Sequence, residues 1–451
     1  MNITITTGSG DDTVIRPVFD KGTVFRSNDT INTNAGNDTI NAGLGKYERI
    51  DGGTGIDHLI IDYSVDDTGG GMVFNNVSPD FGSAYRASAV PNALSLDDIQ
   101  FRNIEKFTVI GTSKDDTITT SYGTNIIQAG AGNDRVSAIS GTLDGGSGFD
   151  YLTLDLSRQT ANINLSNLSN IIAPGVTAIN FERFAITTGS GNDTIIQSAL
   201  VNCCDVLRAS DTIKTGAGND IINAGLGGRS MSDRDLVDGG AGIDHLIVDY
   251  SVGDTGTGMT FNAQCYRPYA YRNVSSARSS LRLDYINFVN IEEFTVIGTS
   301  KNDSIKTGAG NDIINAGAGN DAITGGAKAD TLTGGTGVDT FKYDRYTDSL
   351  LANYDVIKDL EIGLDVIDGP SSRAVTASQL KELGNVTALT ETAIKHVLTA
   401  TNFSAYGAAT ISFGDRTFLG INDSIAGFSA STDSIIEITG FTGSLTNLAI
   451  V

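Results

Sequence analysis

The chain has 451 residues, with 54 glycines, 6 prolines and no tryptophan, and its 53 Asp and Glu against 30 Lys and Arg give a net charge of −23. Such a balance argues against nucleic acid as a partner, and 3 cysteines (Cys203, Cys204 and Cys265) are too few for a disulfide framework. No apolar run approaches the roughly 20 residues of a membrane-spanning helix, and the opening MNITITTGSGDD has neither the basic nor the apolar region of a Sec-type signal.

Repetition starts at once. Residues 7–15, TGSGDDTVI, have the form x-G-x-G-x-D-x-U-x, where U is large and apolar, with Asp12 in the acidic place. Asp29 and Asp38 follow nine apart; Tyr47 stands in the acidic place of a decayed copy, and Asp57 restores the pattern. Residues 65–102, with Phe74, Phe81, Tyr85 and Arg86, lack it and read as an arm looped out of the repeat. The pattern returns in NIEKFTVIGTSKDDTI, where Asp116 and Asp134 lie 18 apart with Asn125 between them. Asp150 precedes a shorter arm, INFERFAITTGSGNDTI brings Asp193, and Asp211 lies 18 further on. Asp220 and Asp244 precede a third arm, after which NIEEFTVIGTSKNDSI supplies Asp303.

Residues 307–342 are four nonapeptides in register without a gap. Asp312, Asp321, Asp330 and Asp339 recur every nine residues, and Ile314, Ile323, Leu332 and Phe341 stand two places after each. Gly308, Gly310, Gly317, Gly319, Gly326, Gly335 and Gly337 fill the glycine places. Glycine reaches positive φ and lets backbone carbonyls crowd together, while the last three residues of each copy suit a short strand with one inward apolar side chain. Two copies make one 18-residue coil, so Asp312 should stack near Asp330, and Asp321 near Asp303 and Asp339.

Stacked carboxylates repel, and a hard cation between them removes that cost. Ca²⁺ takes roughly six to eight oxygens from carboxylates and carbonyls, which is what a glycine-rich turn with one Asp supplies. The repeats lack Cys and His at ligand spacing, so zinc and copper are not expected. One inward apolar residue per nine is a thin core, so bound metal is expected to supply folding free energy; the alternative is a solenoid whose Asn/Asp-Gly turns close without metal. The expected ligands of several Ca²⁺ ions are Asp12, Asp38, Asp57, Asp116, Asp134, Asp150, Asp193, Asp211, Asp220, Asp244, Asp303, Asp312, Asp321, Asp330 and Asp339, with the seven glycines named above.

These residues resemble the RTX (repeats-in-toxin, haemolysin-type) nonapeptide family of secreted proteins. The resemblance implies a calcium-dependent parallel β-roll, exported by a type I system without an N-terminal signal peptide to the cell surface or medium. The expected fold is all-β: a right-handed parallel β-roll or β-helix solenoid with inserted arms, plus a small α+β C-terminal domain. The modules expected are 1–119 with an arm at 65–102, 120–185 with an arm at 158–178, and 186–343 with an arm at 252–287. Residues 5–118 and 186–305 align almost throughout, as duplication within a solenoid produces.

Residues 344–370 resemble the segment that closes the roll in RTX proteins, and Asp355, Asp359 and Asp365 either complete a last calcium site or cap the acidic end. In 371–451, Leu380, Leu383, Ile394, Val397 and Leu398 fall at helical spacings, and ATISF, RTFLGIN and DSIIEITGF alternate like strands. The ending GDRTFLGINDSIAGFSASTDSIIEITGFTGSLTNLAIV resembles the bluetail domain of cyanobacterial surface proteins, which implies surface exposure and a role in export or anchoring.

The third arm interleaves Arg267, Arg272, Arg278 and Arg282 with Tyr266, Tyr269, Tyr271 and Tyr285. Either it folds back and pairs its arginines with the acidic roll, or it contacts an anionic glycan or a neighbouring copy. Neither a His-Glu-x-x-His nor a Gly-x-Ser-x-Gly motif occurs, His58 and His245 belong to the repeat, and no enzyme is expected. The reading is a secreted or surface calcium-binding structural protein. Its alternatives are an adhesin using the arms, or an RTX-type enzyme whose site is not recognisable.

Overall fold

The computed structural model describes the chain except residues 1–2, 17–18, 21–22, 25, 67, 79, 87–94, 198–200, 203–204, 207–209, 228–232, 253–255, 274–281 and 376–379. Cys203, Cys204, Arg278 and the side chain of Arg282 therefore lie outside the described residues. Two compact units result: Met1–Ser198 with Asp211–Gly216, and Ala199–Ser210 with Ala217–Val451. Among the described residues nearly all regular structure is strand, with one α-helix at Glu391–Val397. No helix is long and apolar enough to cross a membrane.

The regular nonapeptides show how the coil forms. In the second unit, Ser304–Lys306, Ala322–Thr324, Thr340–Lys342 and Val366–Asp368 pair in parallel, aligning Ile305, Ile323, Phe341 and Ile367. The intervening copies form an opposite ladder, Glu293–Ile297, Ile313–Asn315, Thr331–Thr333 and Asp355–Ile357, aligning Val296, Ile314, Leu332 and Ile357. Alternate copies thus lie on opposite sheets of a parallel β-roll. Side chains alternate across a strand, so each three-residue strand points its middle residue inward. Ile305, Ile314, Ile323, Leu332 and Phe341 are all buried. The first unit is built the same way, with Ile118, Val136, Leu152 and Phe184 aligned on one sheet.

The segment 65–102 enters the sheet instead of looping out. Met72–Ser78, Phe81–Arg86 and Asp97–Arg102 form an antiparallel meander. Its outer strands pair in parallel with Thr117–Thr120 and Leu44–Asp51 of the roll. In the second unit, Met259–Asn262, Tyr269–Asn273 and Arg282–Val289 repeat the arrangement between Ser304–Lys306 and Asp235–Asp238. Each meander adds two phenylalanines that pack with one from the following roll strand, giving matching aromatic trios in the core. Phe74, Phe101 and Phe107 have ring centroids 5.2–5.6 Å apart, and Phe261, Phe288 and Phe294 lie 5.3 Å apart. A strand paired on both sides has no edge left to expose, which is why the insertion is absorbed.

One arginine of each meander, Arg86 and Arg272, points inward. Arg86 is fully buried, donates from Nε to Asp97 Oδ2 at 2.7 Å, and stacks over Tyr63 at 5.1 Å. Arg272 is likewise buried, paired with Asp284 and with the Val252 carbonyl at 2.9 Å. Tyr271 and Tyr285 are buried and stacked. Of the Tyr/Arg segment, Arg272, Tyr271 and Tyr285 are interior whereas Tyr266 and Arg267 are exposed; Arg272 has its carboxylate beside it, as a buried guanidinium needs.

The C-terminal region continues the roll. Ser434–Glu437 pairs in parallel with Asp355–Ile357, and Ala449–Ile450 with Val366–Asp368, so both sheets gain a further strand. Arg416–Ile421, Ala408–Phe413 and Leu380–Asn385 extend one of them. Leu380 and Leu383, read as helical, lie on that last strand; the helix begins only at Glu391, where Thr390 accepts from the Ala393 amide at 3.3 Å. Glycine at 384, with φ +80, disfavours a helix across the whole stretch. Ile394, Leu398, Phe403, Ile411, Phe418 and Ile435 form the core beneath the sheet.

Candidate metal centre

The regular coils present one Asp at the start of each strand, and these residues stack. Asp303 N donates to Asp321 Oδ1 at 2.7 Å, Asp321 N to Asp339 Oδ1 at 2.9 Å, and Asp339 N to Asp365 Oδ1 at 3.0 Å. On the opposite edge, Asp312 N donates to Asp330 Oδ1 at 2.9 Å and Asp330 N to Asp355 Oδ1 at 3.0 Å. The first unit repeats this with Asp12, Asp38 and Asp57 at 2.7–2.9 Å, and with Asp116, Asp134 and Asp150 at 2.7 Å. Asp220 N donates to Asp244 Oδ1 at 2.9 Å in the second.

One oxygen of each carboxylate therefore holds the preceding coil. In Asp38, Asp57, Asp134, Asp150, Asp244, Asp321 and Asp330, the other oxygen, Oδ2, is buried without a hydrogen-bond partner, and Asp12 Oδ2, in the first coil, is so too. Oδ2 points back into its own turn: a Cβ on Gly325 or Gly334, the first residues of their copies, would run into Oδ2 of Asp330 or Asp339. The walls of the turns are carbonyls. Gly335 and Gly337 have φ +100 and +141, and a Cβ on either would strike the Gly317 or Gly319 carbonyl of the preceding coil. Gly326 faces the Gly308 carbonyl in the same way, Gly310 faces the Glu292 carbonyl, and Gly308 has open space around it.

Burial of these carboxylates opposes their ionisation. It pushes Asp321 up to about 7, with Asp303 and Asp339 adding repulsion, and Asp134 up to about 7. Asp57, Asp150 and Asp244 rise to about 6 for the same first cause. Asp330 is raised by burial and then by Asp355 beside it.

A hard cation fits this set: an orphaned carboxylate oxygen faces a turn lined by carbonyls, and the imidazoles that follow Asp57 and Asp244, His58 and His245, are engaged with the Thr108 and Thr295 hydroxyls. Among the described residues no three His, Cys, Asp or Glu side chains converge on one point. Backbone carbonyls must then supply most of the oxygens, as Ca²⁺ accepts.

Two family models match the chain. One, described as "Peptidase M10 serralysin C terminal", covers residues 223–436. The other, "RTX calcium-binding nonapeptide repeat (4 copies)", covers residues 26–46, 108–138 and 207–231. The chain carries RTX calcium-binding nonapeptide repeats. Such repeats bind calcium in general, and with a serralysin C-terminal segment they are typical of type I secreted extracellular proteins. Both matched segments are non-catalytic. The four regular nonapeptides at 307–342 fall inside the serralysin match. Among curated proteins none matches the chain significantly.

The RTX turns are not all alike. Where the sequence reads GTSKDD or GTSKND, threonine replaces a turn glycine. Thr112 donates to Asp116 Oδ2 from its amide at 2.6 Å and to Oδ1 from its hydroxyl at 2.8 Å; Thr299 treats Asp303 identically. These two carboxylates are satisfied by protein donors. Asp312 is intermediate, accepting from the Gly308 amide at 3.3 Å.

Spacing misled at two places. Asp193 and Asp211, 18 apart, do not stack: Asp193 accepts from Ile163 N at 2.8 Å and Asp211 from Phe184 N at 2.7 Å. Their strands, Thr194–Ile196 and Thr212–Lys214, belong to different ladders. Near residue 47, Thr30 aligns with Arg49, so Glu48 and not Tyr47 occupies the acidic place. Glu48 is buried and pushed up to about 8 by burial and Asp29.

Three functional residues escaped the sequence reading. Glu105, Glu182 and Glu292 accept from the amides of Asp57, Asp150 and Asp244 at 2.8–3.0 Å, so each continues a stack across an inserted segment. Their signal is the recurring NIEKF, NFERF and NIEEF. Asp355 and Asp365 end the two stacks, and Asp359 accepts from Gly334 N and Gly335 N at 3.0 and 2.7 Å. Asp355 Oδ2 is also buried without a hydrogen-bond partner.

Proposed function

We propose that the protein is an exported structural protein whose β-roll completes its folding on binding several Ca²⁺ ions outside the cell. The observation that carries this is the stack of buried aspartates with one oxygen committed to the fold and the other left without a donor. Asp12, Asp38, Asp57, Asp134, Asp150, Asp244, Asp321, Asp330 and Asp339 are the carboxylates that would hold the ions, with carbonyls of the glycine turns, among them Gly317 and Gly319, completing the set. Bound calcium supplies the positive charge that the buried carboxylates lack. Asp193, Asp211 and Asp220 stand at equivalent strand starts and belong to the same proposal; Asp116 and Asp303 serve the fold through their threonines.

Calcium sites of extracellular modules bind at ~10⁻⁴ to 10⁻³ M, so export from a low-calcium cytosol would couple folding to arrival outside. Tenfold excess of calcium over Kd stabilises by about 1.4 kcal/mol per site, and several stacked sites add. The C-terminal region would close the roll and carry the export or anchoring role suggested by its resemblance to the bluetail domain.

Far-UV circular dichroism during a calcium titration of the chelated protein, with magnesium as control, tests the reading. A cooperative gain of β signal in calcium alone is expected. A full β spectrum in chelator, unmoved by calcium and shown metal-free by elemental analysis, would overturn it.

A further inference from the structure

A cavity of about 350 Å³ lies on the outer face of the first unit, against Asn32, Arg49, Asp51, Phe81, Gln100 and Arg102. It lies on the outward sheet surface and does not involve the calcium turns. Its size is that of small-ligand sites, which run from roughly 300 Å³ upward. Three paired strands build it: Arg49 stands beside Gln100, and Asp51 beside Arg102 on one flank and Asn32 on the other. Neighbouring strands lie about 4.8 Å apart, so these side chains form two evenly spaced rows.

The charges are unequal. Arg102 donates from Nε to Asp51 at 2.8 Å, which also accepts from Asn103 Nδ2 at 2.8 Å, so that pair is internally neutral. Arg49 is exposed, and its guanidinium has no hydrogen bond or ion pair among the described residues. The cavity is therefore net positive in a chain of charge −23. Phe81, 57% exposed, presents an apolar ring at the cavity.

The second unit provides an internal control. There Asn290 donates to Asp238 at 2.8 Å, as Asn103 does to Asp51, which fixes the equivalence. In the same register Leu236 and Asn287 replace Arg49 and Gln100, and Val289 replaces Arg102. The fold thus accepts Leu and Val at these places and does not require arginine.

We infer that this cavity binds an acidic oligosaccharide through its uronate carboxylates. Arg49 pairs with a carboxylate in the two-bonded geometry that guanidinium favours, Gln100 and Asn32 bond hydroxyls along the rows, and the Phe81 ring packs on a sugar C–H face. The site needs a folded chain but no calcium ligand of its own.

The test is isothermal titration calorimetry of the calcium-loaded full chain with tri-galacturonate, using uncharged galactotriose and inorganic phosphate as controls at the same calcium concentration. Saturable binding is expected for the acidic sugar, at least about tenfold tighter than for the uncharged one. Arg49→Leu, which copies the second unit, and Phe81→Ala are each expected to weaken it about tenfold or more, with unchanged thermal midpoints. Should Arg49→Leu fail to fold, Arg49→Lys, which keeps the charge and loses the fork, is expected to weaken binding in its place. The inference is overturned if no binding saturates at millimolar sugar or if galactotriose binds equally. It is also overturned if phosphate binds as tightly, which marks a simple anion site, or if binding survives both Arg49→Leu and Phe81→Ala, which marks calcium bridging elsewhere. None of these outcomes bears on whether calcium folds the roll.

Discussion

A single carboxylate oxygen separates two kinds of aspartate in this chain. Asp321 has Oδ2 buried without a donor, whereas both oxygens of Asp303 are held by Thr299. Asp321→Ala is expected to cost about 1–3 kcal/mol in chelator, where the Asp303 amide loses its acceptor, and about 1.4–3 kcal/mol more in calcium, the linkage of one or two sites. Asp303→Asn should cost about 1–3 kcal/mol in both, because it breaks hydrogen bonds within the fold. Urea unfolding of the variants with and without calcium separates the two. The same carboxylates set a pH dependence. Burial raises Asp321 and Asp134 to about 7 in the folded chain against about 3.9 unfolded, so the metal-free fold binds more protons than the unfolded chain. Its stability is therefore greatest at low pH and falls as pH rises from about 4 through 7. Calcium competes with those protons. The expected result in scanning calorimetry is a metal-free Tm higher at pH 5 than at pH 8, and a calcium-induced rise in Tm larger at pH 8. The opposite order in metal-free protein would remove the buried carboxylates as its cause.

At the scale of elements, the meander 72–102 is held by charge as well as by its phenylalanines. Arg86 and Asp97 are both fully buried, and Asp66 lies close by. Arg86→Ala would leave Asp66 and Asp97 with Arg26 as the one cation still paired with them among the described residues, a change expected to cost about 3 kcal/mol, the low end for breaking a buried pair. Arg86→Met with Asp97→Leu should recover much of that, since an apolar pair avoids desolvating charge. Chemical denaturation measures both, and equal stability of Arg86→Ala and the native chain would show the pair to be idle. Arg272 with Asp284 fills the matching place in the second unit.

At the scale of the molecule, a roll of short parallel strands has two open ends, and an open end invites pairing with another chain. In the second unit the last strands of both ladders, Asp355–Ile357 and Val366–Asp368, are covered by Ser434–Glu437 and Ala449–Ile450. Truncation after Asp368 uncovers both. The expected outcome in calcium is a chain that still binds the ion but self-associates, read as a concentration-dependent sedimentation coefficient. A monomeric, equally stable truncation would show that the C-terminal region does not protect the roll.

Periodicity alone determined the coil. A repeat of nine with one apolar place and one Asp fixes which side chains point inward and which stand at the turns, since alternation along a strand is local. For that reason Asp312 over Asp330 and Asp303 beneath Asp321 were legible without coordinates. Only the tertiary structure decided where the pattern broke. Residues 65–102 join the sheet because both flanking strands offer unpaired edges far off in sequence. Leu380–Asn385 became a strand because Ala408–Phe413 lay beside it, against its helical spacing. Glu48 displaced Tyr47, and Asp193 parted from Asp211, because insertions shift register in ways a fixed count cannot follow. The threonine caps on Asp116 and Asp303 and the glutamates that prolong the stacks depend on contacts between coils, and contacts of that range are set by pairing.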